Sequence, residues 1–493
     1  MTKFLQRKLL PPVLSLLTPL LSSLPLLTPA ALAQAPGKYD AINSGVPLFD
    51  DRGKEVSAHG ASIVKDGDTY YLIGEAHADG TNAFSGFNAY SSTDLYHWKF
   101  EGVALPMQNG GALGPARVGE RPKVMRSPHT GEYVMYMHVD ALDYRDQYVG
   151  YATATNITGP YSFQGPLLFN GRPIRKWDMG TFQDHDGAGY LLLHGGDIYR
   201  LADDFKSVAS HVNQAMAHGF ESPALFRDGD TYYFLGSNLT GWERNDNYYY
   251  RAKSLTGPWE KRGPIAPPGT LTWNSQVTFV LAVEGSRGTT YMYMGDRWSF
   301  PRQATAATYV WQPLMVSDGA IGMPHYQAAW TIDMATGLNG PAPFPARMDG
   351  KLDAAGSQTI DNLDARVQYT GLWHQPTGPT SHHRTSAKDA TLSLQFSGVQ
   401  AVLYGVATDD GGYARIVLRD SAGKTVVTSV VDMYSQYTSP TIKFVSPLLP
   451  RDTYTLTMTA MGENWYWLNK RKERSGSKGY AVSFDKLEVR RGT

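Results

Sequence analysis

The sequence predicts an all-β protein, a five-bladed β-propeller followed by a β-sandwich. Three observations carry that reading. A turn-plus-strand pattern recurs five times in the first two-thirds of the chain, and a second strand pattern accompanies it. Beyond the repeats, short alternating runs replace both.

The repeated pattern is "KDGDTYYLIGE" at 65–75, "HTGEYVMYM" at 129–137, "HDGAGYLLLHG" at 185–195, "RDGDTYYFLGS" at 227–237 and "SRGTTYMYMGD" at 286–296. Each is a glycine-containing tight turn that opens into alternating aromatic and aliphatic residues, as a hairpin turn entering a strand does. Its tyrosines, Tyr70, Tyr133, Tyr190, Tyr232 and Tyr291, recur at intervals that suit one four-stranded blade each. "AYSSTDLYHWKFEGVAL" (89–105), "GYATATNITGPYSFQGPL" (150–167) and "YYRAKSLTGPWEKRGPI" (249–265) share a strand, a turn and an aromatic, and read as outer strands. An array of sandwiches would space its strands more evenly. The propeller is therefore assigned to residues 34–338.

From Leu338 the stretch "LNGPAPFPARMDGKLDAAG" is rich in Pro, Gly and Ala and loses periodicity, so residues 339–358 read as a linker. Residues 359–493 then give runs such as "ATLSLQFSG", "AVLYGVA", "TVVTSVVDM" and "TYTLTMTAMG" about every ten residues, the spacing of an antiparallel sandwich.

Residues 1–33 read as a secretory signal peptide. Lys3, Arg7 and Lys8 precede a Leu-rich run, and Ala31-Leu32-Ala33 offers a cleavage site. A retained anchor is the rival, but four prolines between Pro11 and Pro25 make a poor spanning helix. The expected destination is secreted or periplasmic, with no membrane partner after cleavage. The chain has no cysteine, so buried β cores must supply its stability. Forty-five basic residues balance forty-five acidic ones and no basic stripe stands out, which argues against a nucleic-acid partner. Thirty Tyr and eleven Trp fit β cores together with surfaces that stack on sugar rings.

In a propeller the innermost strands converge on one funnel, so acidic residues at the start of each are candidates for chemistry. The second repeat offers Glu120 and Arg121 in "VGERPKVM", the third Asp178 in "KWDMG", and the fourth Glu221 in "HGFESPALF". In the fifth, "NSQVTFV" places Gln276 there. The first has only His59-Gly60-Ala61, with Glu75 at the following strand's end. Any one acid alone would read as solvated surface. Four polar residues in register, each abutting an apolar strand, point to a site.

"WDMGTFQDHDGAGYLL", "ESPALFRDGDTYYFLGS" and "LTGPWE" resemble glycoside hydrolase family 43, an inverting family of five-bladed propellers. "AHGASIV", "YYLIGE", "ERPKVM", "MYMHVD", "WNSQVT" and "MGDRW" resemble its exo-β-1,3-galactanase branch, over roughly residues 40–335. The resemblance implies that Glu221 is the general acid, that Asp178 tunes it, and that Glu120 contacts the sugar. The family's usual blade-one aspartate is missing, and the resemblance implies that Gln276 takes over the base function. An amide could do so as its imidic-acid tautomer, or could simply position the water. Arg121, Glu75, Arg297 and Trp298 complete the expected sugar-binding set, with a structural cation–π pair as the rival reading of Arg297 and Trp298. His59, His77 and His325 are too scattered to form a metal site. No cofactor is expected, although a structural calcium often accompanies sandwiches of this kind.

Residues 359–493 resemble the galactose-binding-like modules of secreted glycosidases. "ENWYWLNK" sets Trp465, Tyr466 and Trp467 in a polar loop, either as a sugar platform or as packing against the propeller. The implied activity is release of galactose from β-1,3-galactan or arabinogalactan. A different sugar on the same fold (β-galactosidase, arabinofuranosidase or xylosidase activity) and a non-catalytic sugar-binding propeller are the alternatives.

Overall fold

The computed structural model describes residues 37–214, 216–217, 219–344, 357–375, 382–469 and 471–492. The signal peptide and most of the expected linker lie outside these residues.

The architecture is all-β. Five four-stranded antiparallel sheets follow one another along the chain, each beginning with the strand that enters a repeated turn. Their first strands are His59–Asp66, Arg117–Arg126, Met179–Gln183, Phe220–Asp228 and Gln276–Glu284. These strands pack side by side in that order, and the fifth returns to the first. Apolar layers follow the same cycle. Ile73 and Phe87 meet Met135 and Met137 between the first and second sheets, and Val134 and Tyr136 meet Leu191 and Leu193 between the second and third. Leu192 and Ile198 meet Phe234 and Tyr250 next, then Tyr233 and Leu235 meet Val280 and Tyr293. Leu281, Met292 and Trp311 finally meet Ile63, Tyr70 and Leu72 of the first sheet. At roughly 1.5–3 kcal/mol for each large side chain buried, these layers stabilise a chain that has no disulfides.

The repeat tyrosines explain the alternation. Each lies at or near the start of the second strand of its sheet, and inward and outward residues follow with period two. Ile42–Asn43 pairs with Ala329–Asp333, which pairs with Leu338–Pro341, so the start of the described chain is fastened to the end of the repeat region. Leu338–Pro341 is thus a strand, and the ordered pairing runs past the expected boundary at residue 338.

Downstream, two sheets enclose a second core. One contains Ser357–Asp361, Lys486–Arg490, Gln400–Ala407 and Ser439–Val445. The other contains Gln368–Thr370, Thr391–Gly398, Asp452–Asn464, Gly412–Arg419 and Thr425–Asp432. Leu392, Leu394, Ile416 and Leu456 face Leu403, Phe444, Leu487 and Val489 across it. Among the described residues no helix is long and apolar enough to cross a membrane.

The sandwich is bolted to the repeat region next to Trp298. Trp465 is fully buried, donates its indole N–H to the Trp298 carbonyl at 2.9 Å and stacks on Tyr434. The buried Arg244 guanidinium lies over the Trp465 ring and also donates to the Trp298 carbonyl. Tyr413 donates to the carbonyls of Ser299 and Phe300. Trp465→Ala should therefore cost about 3–5 kcal/mol of stability in chemical denaturation. A loss below about 1 kcal/mol would show that this contact does not hold the sandwich in place.

Candidate active site

Local backbone geometry sets the site. In four of the five sheets a β-bulge interrupts the pairing of the first strand near its start, between His59 and Ser62, Glu120 and Lys123, Glu221 and Ala224, and Val277 and Phe279. Bulges bend a strand and re-aim its side chains. In three of them the second residue is left-handed: Gly60 (φ 57°), Arg121 (φ 52°) and Ser222 (φ 56°). Glycine takes that conformation freely, whereas Arg121 and Ser222 hold it at a cost of about 1–2 kcal/mol each. His59, Glu120 and Glu221 are therefore equivalent positions. Their cross-strand partners, Glu75, His138 and Ser237, and the Asp296 opposite Gln276, sit in the later halves of the second strands.

Glu75 and His138 join a cavity of about 590 Å³ that is also lined by Glu120, Arg121, Asp178, Glu221, Gln276, Trp298, Trp242 and Trp467. Arg121 is its hub. Its Nε meets Asp178 Oδ1 at 3.0 Å, its Nη2 donates to Gln276 Oε1 at 2.7 Å, and its backbone N–H donates to Glu75 Oε1 at 2.7 Å. Asp178 Oδ2 accepts from both the N–H and the hydroxyl of Ser222, at 3.0 and 2.9 Å. Burial alone would raise the Asp178 pKa. The Arg121 and His138 charges and the Ser222 hydrogen bonds instead hold it below the usual aspartate range. Glu221 has the opposite fate. Burial, then the Asp178 charge, push it well above the usual glutamate range, against the pull of Arg121. Two neighbouring carboxyls with pKa values driven apart are the arrangement of an acid and its electrostatic partner.

The Gln276 amide is fully engaged. Its oxygen accepts from Arg121 and from the Trp298 indole at 2.9 Å, while its nitrogen donates to Glu221 Oε1 at 3.1 Å and Ser237 Oγ at 2.9 Å. Guanidinium and indole are donors only, which fixes the oxygen on their side. Gln276 is carried into place by an unusual turn. Leu271, Thr272, Trp273 and Asn274 all have φ between 53° and 60°, one left-handed turn just ahead of the strand. Arg297 holds this turn, donating to the carbonyls of Trp273 and Asn274, each at 3.0 Å, and to that of Gly45. Arg297 does not line the cavity, so its place in the expected sugar-binding set is corrected: it positions the turn that delivers Gln276.

His59, on the first sheet, binds Asp296 instead of offering a carboxylate. Its Nδ1 lies 3.0 Å from Asp296 Oδ1, and the Gly60 N–H donates to Oδ2 at 3.1 Å. Lys123, fully buried below, donates to the Gly60 carbonyl and is pushed down to about 7 by burial and by Arg121. Opposite, His138 bridges Glu120 at 3.0 Å and Asp140 at 3.1 Å, and the Tyr144 hydroxyl donates to Glu120 at 2.7 Å. From sequence, "MHVD" reads only as pocket lining, and Tyr144, Ser222, Ser237 and Asp296 escape notice. A usable signal exists: Glu75, His138, Ser237 and Asp296 each stand five residues after a repeat tyrosine. Among the described residues no group of three His, Asp or Glu side chains has the geometry to hold a metal ion.

The sequence profile of glycosyl hydrolases family 43 matches residues 54–276. A candidate exo-β-1,3-galactanase structure from Bifidobacterium bifidum s17 is 36% identical, covering 58% of this chain and 97% of that one, with a TM-score of 0.55. The chain belongs to glycosyl hydrolase family 43. The exo-β-1,3-galactanase from Phanerochaete chrysosporium, solved with galactose, is 27% identical and covers 91% of this chain and 99% of its own, with a TM-score of 0.67. That overlay includes the downstream sheets. Among curated proteins, a non-reducing end α-L-arabinofuranosidase from Bacteroides ovatus is 28% identical over 221 residues, 42% of this chain and 39% of that protein. The chain thus spans well under half of that relative.

The buried His138 yields a pH prediction. Burial disfavours its charge, but the hydrogen bonds it donates to Asp140 and Glu120, with the Glu120 charge, outweigh burial and raise it to about 9. A raised histidine contributes stability that is fully present below its unfolded value, about 6.5, and is lost as pH rises through the folded value. The stability difference between wild type and His138→Gln in urea denaturation should be largest below about pH 6.5 and shrink toward pH 9. A difference independent of pH would mean that His138 is not held charged.

Proposed function

We propose that the protein is an exported, inverting exo-glycosidase that removes galactose from the non-reducing end of β-1,3-galactan, on a five-bladed propeller carrying a galactose-binding-like sandwich. The observation that carries the reading is the buried lattice in which Arg121 binds Asp178 and Gln276, and Gln276 binds Glu221. In it the Asp178 pKa is driven down, and that of Glu221 is driven up by burial and by Asp178. Likeness to two exo-β-1,3-galactanase structures, at 27% and 36% identity, supports the sugar. The N-terminal leader and its alanine cleavage site support export.

In this mechanism the non-reducing galactose stacks near Trp298 at the cavity floor. The Gln276 N–H occupies Glu221 Oε1, which leaves Oε2 to carry the proton given to the departing glycosidic oxygen. A water attacks the anomeric carbon from the opposite face. Both lone pairs of the Gln276 oxygen are taken by donors, and neither donor can accept a proton from an imidic-acid hydroxyl. The amide therefore acts by holding Arg121, Trp298 and Glu221 in place rather than by binding the water itself. The water's proton passes to Glu120, which lines the cavity and has lone pairs beyond those used by Tyr144 and His138. An arabinofuranosidase activity is the second reading, favoured by the curated arabinose-releasing relative.

Release of monosaccharide from β-1,3-galactotriose, α-1,5-arabinotriose and β-1,4-xylotriose separates these readings. Galactose release from the first alone is expected, and arabinose release without galactose would overturn the substrate assignment. Glu221→Gln should lower kcat by about 10³-fold or more with the fold intact, whereas retained turnover would remove Glu221 as the acid. Asp178→Asn removes the charge that raises Glu221, so the basic limb of the kcat/KM profile should move to lower pH. An unmoved limb would show that Asp178 does not tune the acid.

A further inference from the structure

Four residues of the cavity lining, Trp467, Leu468, Asn469 and Lys472, come from the downstream sheets rather than the repeats. Trp467, Asn469 and Lys472 line the same cavity as Glu221 and Gln276, although a long stretch of chain separates them. They ride on a short hairpin, Tyr466–Leu468 paired with Arg474–Gly476. This hairpin is held firmly at its base. Trp465 is buried against Trp298, the Tyr466 N–H donates to the Phe300 carbonyl at 2.9 Å, and Arg474 donates to Asn464 at 2.7 Å while lying over the Tyr466 ring. The segment that anchors the hairpin is therefore the one that carries the Trp298 indole.

Trp467 itself is placed by a close approach. Its ring lies over Gly241, where any Cβ would collide with the indole, and Gly241 holds φ 62°. The adjacent Trp242 meets Trp298 edge to face at 5.1 Å. Trp467, Trp242 and Trp298 thus give the cavity aromatic contacts from rim to floor. The Trp467 indole N–H is buried and has no acceptor among the described residues, so the ring face rather than the N–H is what Trp467 presents to the cavity. A pyranose offers an apolar C–H face for the ring, and hydroxyls for Lys472 and for the Asn469 amide hydrogen that Glu473 does not take.

We infer that the sandwich completes the catalytic cleft: Trp467, with Asn469 and Lys472 beside it, binds the sugar residue next to the one being cleaved off. The inference rests on the proposed function for the identity of the sugar, but not for the existence of the subsite. Its consequence is that the sandwich contributes to binding of short oligosaccharides and not only to contact with polymer.

The test uses the full-length Glu221→Gln protein, which should bind without turnover, and isothermal titration with galactose, β-1,3-galactotriose and α-1,5-arabinotriose. Adding Trp467→Ala should weaken trisaccharide binding about tenfold or more, equivalent to about 1.4 kcal/mol, and change galactose binding less than about twofold. Trp467→Phe, which keeps a ring over Gly241 but loses the N–H, should recover most of the loss and guards against a misfolded hairpin. Equal trisaccharide affinity with and without the Trp467 ring would overturn the inference. Binding of arabinotriose in place of galactotriose would overturn the proposed substrate instead, and the same comparison on arabinotriose would then judge Trp467.

Discussion

A single buried guanidinium organises this site. Arg121 sits in a left-handed conformation at a bulge, and from there reaches a carboxylate on the third sheet, an amide on the fifth and, through its backbone, a carboxylate on the first. A buried cation needs compensating charge and hydrogen bonds. Asp178 supplies the charge and Gln276 the neutral acceptor. Arg121 helps hold the Asp178 pKa low, and burial followed by the Asp178 charge pushes Glu221 up, against the direct pull of Arg121. The chain of effects runs from one strained backbone position to the proton on the acid.

The lack of a carboxylate at this position of the first sheet follows from the same lattice. At the bulge where the second and fourth sheets present Glu120 and Glu221, the first presents His59 and Gly60, and both are committed to Asp296. A carboxylate placed there would face Asp296 and Glu75 at close range, and like charges in a dry pocket cannot all ionise. The amide of Gln276 fills the gap without adding charge. The strain needed to deliver it is stored in the left-handed turn 271–274, which Arg297 stabilises by capping its carbonyls.

Much of this was legible in the sequence. The five turn-and-tyrosine repeats announced the five sheets, because a hairpin turn and a period-two strand are local signals. Glu120, Asp178, Glu221 and Gln276 were found by their offset from those turns, and the structure brings all four to one cavity with Arg121, Glu75 and Trp298. Arg297 misled because a lone "DRW" cannot reveal that its side chain turns back onto the backbone of residues 273–274. Trp467 was legible only as an aromatic in a polar loop. Its contact with Gly241 depends on how two distant parts of the chain dock, which no local pattern encodes. The expected linker start at 339 falls inside a strand for a different reason: Leu338–Pro341, despite its one glycine and one proline, closes a local hairpin onto Ala329–Asp333.

Catalysis on these terms turns on Glu221 holding a proton at neutral pH while Asp178 does not. Infrared difference spectroscopy of the resting protein against Glu221→Gln reports this directly, since a protonated carboxyl and a carboxylate absorb in separate regions. A protonated-carboxyl band is expected at neutral pH in the wild type, and it should disappear in the variant. Loss of a carboxylate band instead, with no protonated band to lose, would mean that Glu221 is already ionised, and the lattice around Arg121 would not be the source of an acid.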